Sequence, residues 1–295
     1  MSRAEDLLVT GLKRLPSKPA DNAKSTEKKR YSEQMSQVIA AALAEELRQR
    51  GLRGTRPGGD GEEGKTGAER RMSGGIGAKK VDVTWATEES GLLLAISVKC
   101  ITGKDLKTGN YQKNLINRRG DMREAVTLHR RFPYAVLGGF LFFDKGAAED
   151  SSEQRSSTFL NAHRAFRIFT GRADPAGRDE QYEAFYFGLV DATPFQSTVG
   201  LTLAGAPEKD ISLDHALDSL LRLVVERDPD FYALVGPNGE IDPAASASPL
   251  LLARMKTSGA IVKTKPASTN MSGASLSIDI SLTSEEEEDD PEDSE

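Results

Sequence analysis

Residues 80–101, KVDVTWATEESGLLLAISVKCI, decide how the rest of the chain is read. The first part alternates around Val81, Val83 and Trp85, the period of a half-buried strand, and residues 92–101 are an apolar run of strand length. Residues 88–91 supply a turn between them, so the spacing predicts an antiparallel hairpin. Alternate side chains of a strand share a face, which sets Ser97 and Lys99 together. A two-residue turn at Glu89-Ser90 sets Asp82 opposite Ser97, and one at Ser90-Gly91 sets it opposite Lys99. Either register gathers Asp82, Ser97 and Lys99 on one face. A three-residue turn breaks this arrangement unless a bulge restores it. Val81, Val83, Trp85 and Val98 are expected on the opposite, buried face.

Working outward, residues 31–50 predict a helix with Ser32 as its cap. Its broad apolar stripe runs through Val38, Ile39, Ala42, Leu43, Ala44 and Leu47, and Gly51 is its stop. Residues 53–77 are glycine-rich and read as a loop with a short ordered piece near 70–73. Residues 1–27 read as an N-terminal arm, in which a short amphipathic helix over 4–15 is followed by Pro16 and Pro19. Beyond the hairpin, residues 110–131 predict one long arginine-rich helix closed by Pro133. Residues 134–144, YAVLGGFLFFD, predict a buried strand. A helix over 158–170, a strand over 183–190 and a helix over 213–227 follow. This order fits an α/β fold, a mixed sheet flanked by helices, occupying residues 28–235. Residues 236–295 read as a mostly disordered tail.

The formal net charge of −6 describes that tail. Residues 285–295, EEEEDDPEDSE, hold nine acids, and without them the charge becomes +3. A mildly basic body is compatible with a nucleic-acid partner. Cys100 is the only cysteine, which excludes an intrachain disulfide and a cysteine-rich zinc site. His129, His163 and His215 lack metal-ligand spacing. Any metal therefore falls to carboxylates, which favours magnesium or manganese. There is no apolar run long enough to span a membrane and no secretion signal, so a cytoplasmic location is expected.

Hydrolysis of a phosphodiester needs a carboxylate-held divalent metal that polarises the phosphate and acidifies the attacking water. A nearby lysine stabilises developing charge. One carboxylate makes a poor magnesium site, so a second acid is expected.

Asp82, fourteen intervening residues and then Ser97-Val98-Lys99 resembles the signature of the PD-(D/E)XK nuclease superfamily, over residues 31–190. The resemblance implies a restriction-endonuclease-like mixed sheet. It also implies a magnesium- or manganese-dependent DNA endonuclease of restriction or phage-defence type, acting as a homodimer or with a partner subunit. Two positions depart from the pattern. Val81 stands where proline is common, and Ser97 stands where the triplet carries an acid. Restriction enzymes with a similar Ser-x-Lys take the missing glutamate from the following helix, which makes Glu124 the expected substitute. The implied catalytic set is Asp82, Ser97, Lys99 and Glu124, with Asp82 and Glu124 as metal ligands. Asp121 is the next alternative, then Glu33, Glu45 and Glu46 on the first long helix.

Arg70-Arg71, Lys79-Lys80, Arg118-Arg119, Arg123 and Arg130-Arg131 are candidates for tracking a DNA backbone. Three plainer readings compete. Asp82 and Lys99 can form a cross-strand ion pair with no chemistry. The fold can be a degenerate nuclease that only binds nucleic acid or protein. The chain can also be an interaction module whose acidic tail is the working part. Gly74-Gly75-Ile76-Gly77 precedes a strand rather than a helix, so it is not a phosphate-binding loop. His129 reads as a helix-face residue and Cys100 as a small core hydrophobe.

Overall fold

A computed structural model describes residues 2–58, 70–74, 77–87, 90–121, 124–191, 199–235 and 239–244, without the side chains of 70–80, 121 and 243. All of them belong to one compact unit, residues 1–259. A second unit, 260–295, contains the acidic run and lies outside the described residues.

The chain opens with α1 (Arg3–Leu12) and α2 (Ser25–Gln49), then an antiparallel ribbon of β1 (Arg70–Gly74) and β2 (Gly77–Val81). Next come β3 (Val83–Thr87), β4 (Gly91–Ile101), α3 (Gln112–Asp121), α4 (Glu124–Arg131), β5 (Val136–Asp144) and α5 (Thr158–Phe166). It continues through β6 (Ala184–Val190), β7 (Val199–Leu203), β8 (Ala206–Ile211), α6 (Leu213–Arg227) and a small ribbon of β9 (Tyr232–Val235) and β10 (Glu240–Pro243).

One six-stranded mixed sheet runs β3-β4-β5-β6-β7-β8, with β4, β5 and β6 parallel and the outer pairings antiparallel. Two successive parallel steps in one direction, each with the usual right-handed crossover, place both crossovers on the same face of a sheet. Accordingly Leu115 of α3, Leu128 of α4 and Phe159 and Phe166 of α5 pack with Ala95, Leu137, Leu141 and Phe187. The other face is covered by α1, α2 and α6, which pack on Val83, Ile96, Val98, Phe140 and Tyr186. No helix among the described residues is long and apolar enough to cross a membrane.

Several elements differ from the sequence expectation. Residues 1–27 are not a free arm. Ala4, Leu8, Val9 and Leu12 of α1 are buried in the core, and Gly11 sits so near α2 that a Cβ there would lie 2.7 Å from Val38 Cγ1. The long helix begins at Ser25 with Lys24 as N-cap, and Ser32 instead shares a 2.6 Å hydrogen bond with Thr102. Gly51 does end that helix, at φ +98°, hard against the backbone of Ile241. The predicted helix over 110–131 is two helices, α3 and α4. The strand predicted from residue 80 breaks at Asp82 and is preceded by β2, which begins at Gly77, while the short ordered piece expected near 70–73 is β1. Order persists past residue 235, because Ile241 N donates to Arg50 O at 2.7 Å and buries β10 against the body.

Candidate metal centre

Strand β4 is buried along most of its length, with Ser97 and Lys99 on the face that meets α3 and α4. Asp82 sits on the bend between β2 and β3. Val83 pairs with Ile96, so Asp82 falls next in line, opposite Ser97. Thr87 pairs with Gly91, leaving three residues in the connection. A bulge between Trp85 and Ala86, with Leu93 as the extra residue, restores the parity that a three-residue turn would lose. The bend also explains one misplaced residue. Val83, Trp85 and Val98 face the α2 side as expected, whereas Val81 lies before the bend and packs on the α4 side.

Four side chains converge there. Asp82 Oδ2 accepts a 2.7 Å hydrogen bond from Val98 N and another at 3.2 Å from Lys99 Nζ. Glu124, the first residue of α4, accepts a 3.2 Å hydrogen bond from Ser97 Oγ and lies 3.9 Å from Lys99 Nζ. Side-chain exposure is 21% for Lys99, 15% for Asp82 and 7% for Glu124, so the cluster opens at its Lys99–Asp82 end. Burial alone would lower the Lys99 pKa, but Glu124 and Asp82 outweigh it and hold the ammonium above its ordinary value. Lys99 is therefore a fixed cation and not a base. Beside Ser97, position 139 of β5 must be glycine, since a Cβ would lie 2.2 Å from the Phe185 ring.

The alternative acids are used elsewhere. Helix α2 packs on the opposite face of the sheet. Its Glu46 is buried between Arg3 and Arg50 at 2.9 and 2.7 Å, Glu45 pairs with Arg48 at 2.6 Å, and Glu33 is an exposed partner of Lys29 at 3.8 Å. The Asp121 side chain lies outside the described residues. Arg118 is half-buried and its charge acts on Lys99, while Arg119, Arg130 and Arg131 are exposed. The side chains of Arg70, Arg71, Lys79, Lys80 and Arg123 lie outside the described residues. Cys100 is buried on the far face, where burial pushes its thiol up to about 12.

A second carboxylate cluster gives no motif in the sequence. Glu183, fully buried just before β6, accepts from Leu137 N at 2.7 Å and pairs with Arg172 at 2.9 Å and Arg227 at 2.8 Å. His129 lies on the buried face of α4. Its Nε2 lies 3.4 Å from Glu183 and its Nδ1 is 2.9 Å from the carbonyl oxygen of Asp179. Burial works to raise the Glu183 pKa, but His129, Arg227 and the Leu137 N–H outweigh it and hold the carboxyl below its ordinary value.

Among the described residues no group of three or more His, Cys, Asp or Glu side chains is placed to hold a metal. A pair of carboxylates still fits magnesium, which keeps several waters and is commonly held by one or two carboxylates together with substrate phosphate oxygens. Asp82 and Glu124 arrive from different elements at one ammonium, so their hard oxygen donors sit together at a partly open position. In comparisons with known proteins, no family model, no curated protein and no solved structure matches the chain.

Proposed function

We propose that this chain is a magnesium-dependent DNA endonuclease with a restriction-endonuclease-like core, serving in restriction or phage defence. The observation that carries the reading is the convergence of Asp82 and Glu124 on Lys99, with Ser97 hydrogen-bonded to Glu124. Asp82 and Glu124 would hold the ion, and the backbone N–H of Val98 keeps the Asp82 carboxylate aimed. Bound there, magnesium or manganese polarises a phosphate and lowers the pKa of an attacking water. Lys99, protonated throughout the neutral range, offers its charge to a phosphate oxygen as negative charge develops. Ser97 orients Glu124 and carries no proton in the reaction. Exposed Arg119, Arg130 and Arg131 supply cations for a DNA backbone, and a second copy of the chain would present a second site to a duplex.

Nicking of supercoiled plasmid under magnesium, beside an EDTA control, tests the reading. Cleavage with wild-type protein is expected, and its loss in Asp82→Asn and in Glu124→Gln. Cleavage undiminished in both variants contradicts it. A second reading, a nuclease fold that binds DNA without cutting, is favoured by one feature. The ammonium already bridges both carboxylates, the bond set of a purely structural ion-pair cluster. Salt-dependent DNA binding without cleavage under magnesium or manganese selects it.

A further inference from the structure

Helix α4 has eight residues, too few to be stable alone, so its place is set by what its buried side touches. That side carries Glu124 and Ala125 at one end and Leu128 and His129 at the other. Glu124 meets Ser97 and Lys99 of β4. His129 is fully buried between the Asp179 carbonyl oxygen and the Glu183 carboxylate.

Glu183 is in turn the hub of the adjacent structure. Its oxygens hold the Leu137 N–H at the start of β5, and Arg172 and Arg227. Arg172 also donates to Pro133 O at 3.2 Å, and Arg227 donates to Ala135 O at 2.9 Å, which fixes the segment leaving α4. The rear of α4 is thus tied to β5, to the residues preceding β6 and to α6 through one carboxylate.

We infer that His129 is a positioning residue for Glu124. By tying α4 to Glu183, it sets how far Glu124 reaches toward Asp82, and hence the spacing of the two metal-binding carboxylates. His129 touches none of the reacting groups. Five helical steps, about 7 Å, separate it from Glu124, so a shift or tilt at His129 moves the Glu124 end as a rigid piece. The inference rests on the metal reading above.

The test is Mn²⁺ binding followed by electron paramagnetic resonance on the full chain, with melting temperature and plasmid nicking measured in parallel. His129→Leu keeps the bulk and removes both polar contacts. It is expected to weaken Mn²⁺ binding about tenfold, the usual scale for losing a group that orients a ligand. The magnesium concentration for half-maximal nicking should rise by the same factor, with the rate at saturating magnesium within about threefold of wild type. His129→Gln, which can again reach Glu183, should recover most of the affinity, and Glu124→Gln should remove the dependence on residue 129. If His129→Leu does not fold, His129→Asn makes the same comparison, because it can keep the Asp179 bond while being too short for Glu183. Wild-type Mn²⁺ binding with unchanged affinity in these variants overturns the inference and leaves the metal reading standing. A wild-type chain that binds no Mn²⁺ overturns both.

Discussion

The two ends of α4 meet carboxylates under opposite conditions. At its C-terminal end a single carboxylate, Glu183, is fully buried and saturated by two guanidiniums, an imidazole and a backbone N–H. At its N-terminal end two carboxylates, Asp82 and Glu124, share one ammonium that is 21% exposed. The first arrangement leaves no acceptor for a ligand and gives the fold rigidity. The second concentrates anionic oxygens where solvent and ions can reach them. Both are ion-pair clusters by a distance criterion, so distance alone does not separate a structural cluster from a metal site. The balance of charge and the access to it do.

Substitutions sharpen the contrast. Glu124→Gln and Asp82→Asn should each reduce magnesium-dependent cleavage by about a thousandfold or more while changing the melting temperature by only a few degrees. Glu183→Gln should do the reverse in kind. It leaves buried cations uncompensated, at a cost of about 3–5 kcal/mol, which lowers the melting temperature by roughly 10 °C. Equal thermal effects at the two sites would erase the comparison.

Lys99→Ala should slow cleavage about a hundredfold with Mn²⁺ binding retained, because it removes a charge near the reacting phosphate and spares both ligands. Since the Lys99 pKa is raised, its contribution to stability is complete below the ordinary lysine range and is lost only as pH climbs through the raised value. Cleavage should therefore show no loss assignable to Lys99 between pH 7 and the ordinary lysine range of about 10.

A smaller effect concerns His163, whose pKa is pushed down to about 4, chiefly by burial. Its unfolded form gains a proton before its folded form does, so stability falls as pH drops from the ordinary histidine value toward 4. Melting curves across that window should show the fall, and His163→Phe should flatten it. The smallest effect is expected from Ser97→Ala. That change removes one hydrogen bond of about 1 kcal/mol and should alter cleavage by no more than a few fold.

Much of this arrangement is legible in the sequence because strand and helix periodicity are rigid rules. Parity places Ser97 with Lys99, whereas Glu124 comes into reach from the first residue of α4, the second of two helices where the sequence predicts one. What parity does not reveal is a change of direction. The bend at Asp82 sends Val81 to the other face, and nothing in KVDVT marks it. Two prolines after α1 suggest a loose arm, but burial of Leu8 and Leu12 depends on a partner, α2, that local sequence does not name. Strand β8, APEKDI, carries too little apolar pattern to be seen, because it is an exposed sheet edge. Glu183 gives no warning either, since its four partners come from four separate segments.

The central claim is that Asp82 and Glu124 together hold one divalent ion. Anomalous scattering from crystals grown with Mn²⁺ tests it most directly. The account predicts a single strong peak in contact with both carboxylates, with Lys99 displaced from at least one of them, and no peak in Glu124→Gln crystals under the same conditions. Wild-type crystals in which Lys99 still bridges Asp82 and Glu124, with no manganese between them, would contradict it.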